Sequence, residues 1–196
     1  PGEMVALLGM SGSGKSVLLR ALTGLLPAES GQIWIAGEPM VGASRGKVQE
    51  ARRHLGMLFQ GNALFDSMTV AENIGFNLRE VKRLPAPEIR KRADELLTRL
   101  HLGPIGKMFP SELSGGMKKR VGIARAIAHQ PSIVFYDDPT AGLDPVTSEV
   151  IADLIAELGA GDRGASGQSP RSGLVVSNYW PLITRVADRA VILEQG

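Results

Sequence analysis

The stretch GMSGSGKS (Gly9–Ser16) follows an apolar run, Met4 to Leu8, and leads directly into a helical pattern that begins at Ser16. Glycines at 9, 12 and 14 allow the backbone to wrap tightly enough to turn successive N–H groups inward. Lys15 adds a point charge, and the Ser16 hydroxyl can ligate Mg²⁺. This chemistry suits a polyphosphate, and a strand before and a helix after form the setting that the pattern G-x-x-x-x-G-K-[ST] requires. The competing reading, a glycine turn before a helix, is disfavoured by that setting. The candidate phosphate contacts are Gly9, Ser11, Gly12, Ser13, Gly14, Lys15, Ser16 and Val17. The expected ligand class is a nucleoside triphosphate.

Further strand-like runs, bounded by turn residues, occur at Gln32–Ile35, Leu55–Phe59, Ser132–Tyr136, Leu174–Ser177 and Ala190–Leu193. Several are apolar on both faces, as buried parallel strands are. Helical patterns fall between them, at Ser16–Leu26, Glu88–Leu100, Lys118–His129 and Pro145–Leu158. Asp144 is placed to cap the last, with Pro145 at its first position. Strands alternating with helices imply an α/β fold with a mostly parallel sheet flanked by helices. Residues 70–129 lack strand signals and read as an all-helical subdomain inserted into a core made of 1–69 and 130–196. Gly159–Gly173 reads as a polar, mobile loop. The ends look cut, since the chain opens straight into one strand and stops just after another.

Composition narrows the classes. Apolar and charged fractions of 43% and 21% are those of a globular protein. A net charge of +2 gives no argument for nucleic acid, and none is expected as a partner. There is no cysteine, which excludes disulfides and thiolate metal sites and is compatible with a cytoplasmic location. No apolar stretch approaches the roughly 20 residues that span a bilayer, so a membrane role would go through a partner.

Two further stretches carry polar chemistry. Asp137 and Asp138 end the apolar run IVFY, where a carboxylate can engage Mg²⁺ through water. LSGGM (Leu113–Met117) opens a helical stretch, with Ser114 able to cap it and Gly115 and Gly116 exposing N–H groups at its positive end. Taken alone, the second stretch reads more simply as an ordinary serine cap.

In order, GMSGSGKS, Gln60, LSGGM and YDDPTAGLD resemble the nucleotide-binding subunit of ABC transporters, over essentially the whole chain. The resemblance implies a P-loop NTPase of RecA-like architecture with ATP and Mg²⁺ as cofactors. It implies a head-to-tail dimer, expected to be a homodimer, in which Ser114, Gly115 and Gly116 of one copy close on the triphosphate held by the other. Ser16, Gln60 and Asp137 would serve the metal, and Ala141–Asp144 would cross the dimer interface, giving Asp144 a second role. It also implies a transmembrane permease partner and a peripheral place on the inner face of the cell membrane. Met117 replaces the family's usual Gln, a tolerable departure because the amides do the binding. LFQGNALFDSMTVAENIGFNL (Leu58–Leu78) and ELSGGMKKRVGIARAIA (Glu112–Ala128) are similar to the Mla/Mce-type lipid-transport ATPases, which implies a lipid cargo and an Mce-type lipid-binding partner. Phe65, Met68 and Phe76 would then lie where the permease docks, with simple core packing as the alternative.

Three departures qualify the catalytic expectation. The family's glutamate after the Mg²⁺ aspartate is here Asp138, shorter by one methylene. Its histidine after the following strand is matched by Asn178, which can donate a hydrogen bond but cannot take a charge as imidazole can. Its adenine-stacking aromatic would precede residue 1. The expected catalytic set is therefore Asp138, Asn178 and Gln60, with slow hydrolysis. His54, His101 and His129 read as structural or exposed. The competing readings are a non-hydrolysing nucleotide switch and a non-transport ATPase of the same superfamily. Against the latter, no sustained heptads run between Gln60 and Ser114, and only one such domain is present. A small-molecule kinase would leave LSGGM without a task.

Overall fold

The computed structural model describes residues 2–160 and 171–194. In chain order its elements are β1 (Met4–Leu8), α1 (Lys15–Leu22), β2 (Trp34–Ile35), β3 (Glu38–Pro39), α2 (Arg45–Arg52), β4 (Leu55–Leu58), α3 (Val70–Glu80), α4 (Ala86–Arg99), α5 (Gly115–Ile127), β5 (Ile133–Asp137), α6 (Pro145–Ala160), β6 (Ser172–Val176), α7 (Trp180–Val186) and β7 (Arg189–Ile192). Five strands form one parallel sheet in the order β4-β5-β6-β1-β7. Ala6 of β1 lies opposite Val175 of β6 and Ala190 of β7, and Phe135 of β5 opposite Met57 of β4 and Leu174 of β6.

Side chains alternate along these strands and so feed two separate cores. Met4 and Ala6, Leu58, Val134 and Tyr136, and Val175 join the larger core, which also holds α3, α5, α6 and α7 side chains. Leu7, Leu55, Phe135 and Val176 point the other way, onto Leu19 of α1 and Ala51 of α2. Each fully buried Leu or Ile contributes roughly 1.5–3 kcal/mol, so a sheet covered on both faces is held from both sides. Because all five strands run the same way, their C-terminal ends share one edge, where α/β sheets place their ligands. β6 lies between β1 and β5. Its exit, Ser177–Asn178, thus stands between the glycine loop after β1 and the acids after β5.

Helix starts follow their caps. Thr69 and Glu72 form a reciprocal box at α3, with Thr69 N donating to Glu72 Oε2 at 2.7 Å and Glu72 N to Thr69 Oγ1 at 3.3 Å. Ser44 caps α2 and Ser114 caps α5. Asp144 caps α6, accepting from Thr147 N at 3.0 Å and from Thr147 Oγ1 at 2.6 Å.

Several expectations need correction. The run Gln32–Ile35 gives only Trp34–Ile35, and it pairs antiparallel with β3 in a separate two-stranded sheet, outside the parallel one. The helix expected to reach Leu26 ends at Leu22, because Gly24 turns with φ 68°. α5 starts at Gly115, ahead of Lys118, since the Ser114 cap outweighs the weak helix propensity of two glycines. Gly159 and Ala160 belong to α6, and Ser172 and Gly173 to β6. Residues 161–170 of the expected loop lie outside the described residues, and Arg171 directly precedes β6. Of the histidines, His54 and His101 are exposed and His129 is buried, with its Nε2 3.0 Å from the Leu55 carbonyl oxygen.

Candidate functional site

The loop after β1 is shaped by positions that only glycine fills. A Cβ on Gly9 would meet the Leu193 carbonyl oxygen at 2.5 Å and Ser13 Oγ at 2.6 Å. Gly14 takes φ 98° at the N-cap of α1 and offers no capping side chain, so the first-turn amides of Lys15, Ser16 and Val17 have no intrahelical partner. Such a terminus attracts anions. Ser13 Oγ is buried without a hydrogen-bond partner among the described residues, which fits a loop built to donate to an oxygen-rich ligand. Lys15 Nζ reaches back to the Gly9 and Met10 carbonyl oxygens at 2.7 and 2.8 Å. Ser11 and Gly12 are exposed at the tip of the loop, and Val17 is exposed on α1.

Ser16 Oγ donates to Asp137 Oδ1 at 3.4 Å across the end of the sheet. A hydroxyl beside a carboxylate is an oxygen pair suited to a hard divalent cation. Burial raises the Asp137 carboxyl above its usual range, and the Asp138 carboxylate adds to the rise. The Ser16 hydroxyl, Arg20 and Lys119 pull it back down. A cation there would oppose the cost of burial.

Asp138 has φ 46°, in the left-handed region. Its N–H donates to the Val176 carbonyl oxygen at 2.8 Å, and its Oδ1 accepts from Ser177 Oγ at 3.4 Å. Its carbonyl oxygen accepts from Lys119 Nζ at 3.3 Å, and the same ammonium donates to the Gln60 carbonyl oxygen at 2.7 Å. Gln60 is exposed just past β4. Asn178 is exposed, and the neighbour that touches Asp138 is Ser177.

The structure therefore brings Lys15, Ser16, Asp137, Asp138 and Gln60 to one edge. Ser114, Gly115, Gly116 and Asp144 form a second group. There Ser114 Oγ accepts from Met117 N at 3.3 Å. A Cβ on Gly116 would strike Thr147 Cγ2 at 2.6 Å, in the first turn of α6 that Asp144 caps. The first turn of α5 and the Ala141–Asp144 loop are thus packed together. Lys119 and Ser177 were not singled out from sequence. The signal for Lys119 was present: it shares the apolar stripe of α5 with Ile123 and Ala126, where a charge has to find a partner.

The sequence profile of the ABC transporter family matches residues 1–141. The chain belongs to that family. It is 39% identical over 192 residues to the intermembrane phospholipid transport system ATP-binding protein MlaF of Escherichia coli K12, covering 98% of this chain and 69% of that protein. It is 38% identical over 204 residues to protein trigalactosyldiacylglycerol 3, chloroplastic, of Arabidopsis thaliana. It is also 38% identical over 198 residues to the methionine import ATP-binding protein MetN of Geobacillus kaustophilus. In the last two, all of this chain aligns with 59% and 55% of the other, so it spans little more than half their length. Among solved structures, the ABC cassette MJ0796, in a dimeric post-hydrolysis state with ADP and Pi, superposes with a TM-score of 0.87 at 32% identity, covering 100% of this chain and 82% of that one. The fold is thus that of the ABC ATPases, which bind ATP with Mg²⁺, and the donors at the sheet edge fit that pair. Among the described residues no helix is long and apolar enough to cross a membrane.

Proposed function

We propose that the chain is the ATP-hydrolysing subunit of a transporter whose cargo is a phospholipid, working as a head-to-tail homodimer beneath a separate membrane permease. The observation that carries the reading is the convergence of Lys15, Ser16, Asp137 and Asp138 on one edge of a parallel sheet. In this reading the amides of Gly12–Val17 and the Lys15 ammonium grip the triphosphate, while Ser114–Gly116 of the second copy cover its far side. Mg²⁺, held by Ser16 and, through water, by Asp137 and the Gln60 side chain, would neutralise charge on the outer phosphate oxygens. Asp138 orients the attacking water with one carboxylate oxygen while Ser177 holds the other end of that carboxylate. Asn178, at the exit of β6, donates its amide to the outer phosphate. Residues 70–129 act as a helical subdomain that carries the Ser114 turn, between core segments 1–69 and 130–196.

Support for a permease comes from an aromatic cleft of about 390 Å³ lined by Phe59, Phe65, Phe76 and Arg125. The Phe65 and Phe76 rings lie 4.7 Å apart, and the Arg125 guanidinium stands 5.8 Å over Phe65. Phe65 is 40% exposed, so it is not spent on the core. An apolar, arginine-flanked cleft suits a short amphipathic helix of a partner. That arrangement would hold the chain at the cytoplasmic face of the membrane. Support for a lipid cargo comes from the phospholipid system named for the Escherichia coli relative, and a lipid-binding Mce-type protein would complete it. The methionine importers are equally similar, so cargo is what the experiment has to decide.

Phosphate release by the purified protein should be slow and Mg²⁺-dependent, and Asp138→Asn should reduce it by at least about 10²-fold. Equal turnover would remove Asp138 from the water-orienting role, whereas no Mg²⁺-dependent phosphate release from either protein would favour the second reading, a non-hydrolysing switch, which the shorter acid and the missing histidine support. The complex purified through this chain and placed in vesicles should move a fluorescent phospholipid on ATP addition. Uptake of labelled methionine instead would sink the lipid assignment.

A further inference from the structure

α5 carries two cations on the face it turns toward the end of β4. Lys119, 2% exposed, donates to the Gln60 carbonyl oxygen, and Arg125, 7% exposed, donates to the Asn62 and Ala63 carbonyl oxygens at 2.6 and 2.5 Å. Between them, a Cβ on Gly122 would meet Leu58 Cδ1 at 2.7 Å, so the helix lies close against that segment. Arg125 is fully accounted for by the turn it closes, in which Asn62 and Ala63 both have positive φ. Lys119 reaches further. Its second acceptor is the carbonyl oxygen of Asp138, just past the end of β5.

We infer that Lys119 is a positioning residue for hydrolysis, fixing the Asp138 backbone and the Gln60 loop to the helix that begins at the Ser114 turn. The inference rests on the proposed roles of Asp138 and Gln60. Three chain segments meet at this ammonium, and each carries a candidate site residue. A buried ammonium must be given acceptors, and both of those it has are main-chain carbonyls next to reacting groups. The Asp138 backbone also needs holding, since it is left-handed at a residue with a side chain. Lys119 and Ala141 N restrain its carbonyl, while its N–H is bound to Val176. Burial lowers the Lys119 pKa, and the Asp138 and Asp137 carboxylates work against that by favouring the charged form. When Ser114 is drawn onto a triphosphate, any shift of α5 is passed through Lys119 to the acid and the Gln60 loop together.

The test compares Lys119→Met, which keeps the length of the chain and removes the donors, with Lys119→Arg, which restores them. Equilibrium MgATP affinity and kcat for phosphate release are measured on the purified protein, alone and combined with Asp138→Asn. Lys119→Met should lower kcat about tenfold while nucleotide affinity stays within about threefold, and Lys119→Arg should recover most of the loss. In the Asp138→Asn background Lys119→Met should cost less than about twofold more, because a residue acting through Asp138 has nothing left to position. A packing role would instead cost the same in both backgrounds, and that result, or wild-type kcat in Lys119→Met, overturns the inference. If the Met variant does not fold, Lys119→Gln against Lys119→Arg decides: lower kcat at equal affinity for Gln supports it, and equal kcat overturns it. Wild-type turnover by Asp138→Asn itself would mark failure of the Asp138 reading, a result separable from failure at Lys119 alone.

Discussion

Asp138 combines a left-handed backbone with a carboxylate already engaged by Ser177 Oγ. Holding a residue with a Cβ at positive φ costs about 1–2 kcal/mol, which the surrounding bonds to Val176, Lys119 and Ala141 must offset. A carboxylate at this place is therefore aimed by its backbone, and what remains free is its reach. Glutamate adds one methylene, about 1.5 Å. If reach limits turnover, Asp138→Glu should raise kcat by about tenfold or more at saturating MgATP, measured as phosphate release. An unchanged or lower kcat would show that the site is built around the shorter acid. The candidates Lys15, Ser16 and Asp137 are legible in the sequence because the first two fall in a spaced motif and the third ends an apolar run. Ser177 and Lys119 act across 39 and 19 residues of sequence on Asp138, and no local spacing announces such contacts.

α5 and the sheet meet again at His129, just past the last turn of the helix. This residue is 4% exposed, with its Nδ1 unpartnered among the described residues. Burial lowers its pKa below the ordinary value, its contact with the Leu55 carbonyl opposes this, and Lys82 and Arg171 add to the lowering. The unfolded chain therefore binds a proton first as pH falls, from about 6.5 downward, while the folded chain stays neutral. Stability from this group is fully present above that value and is lost as pH drops toward the depressed folded pKa. The slope cannot exceed about 1.4 kcal/mol per pH unit, the limit for one proton. Denaturant unfolding from pH 7.5 to 5.5 should be steeper in pH for the native chain than for His129→Gln, and parallel curves would refute the assignment. The neighbouring elements show what sequence could convey. β1, β4, β5 and β6 were readable because each is an apolar run fed to two cores. α2 was not, since only Ala51 of its eight residues is buried and its pattern is mostly polar. β2 was readable within the run Gln32–Ile35, but its antiparallel partner β3 was not, because a two-residue strand leaves no periodicity to read.

Within one molecule the two turns proposed to meet the triphosphate are committed to different neighbours. Ser16 meets Asp137 at the sheet edge, whereas Ser114 heads a helix whose first turn packs through Gly116 on Thr147 of α6. The first-turn amides of each helix have no intrahelical partner, and in the proposed head-to-tail dimer each turn is half of a site that the second copy completes. The absence of cysteine makes the geometry directly testable, because introduced thiols are the only ones present. Met10, 83% exposed in the glycine loop, and Ser114 are suitable positions. Met10→Cys protein and Ser114→Cys protein, distinguished by mass tags, are mixed and treated with a short bismaleimide. MgATP should produce a crosslink joining Met10→Cys of one copy to Ser114→Cys of the other, and the Asp138→Asn background should raise its yield, because slower hydrolysis keeps the two copies together longer. A link that forms equally without nucleotide would mean that the triphosphate is not what brings the copies together. No link under any condition, with both thiols shown to be reactive, would remove the head-to-tail arrangement and with it the task assigned to the Ser114 turn.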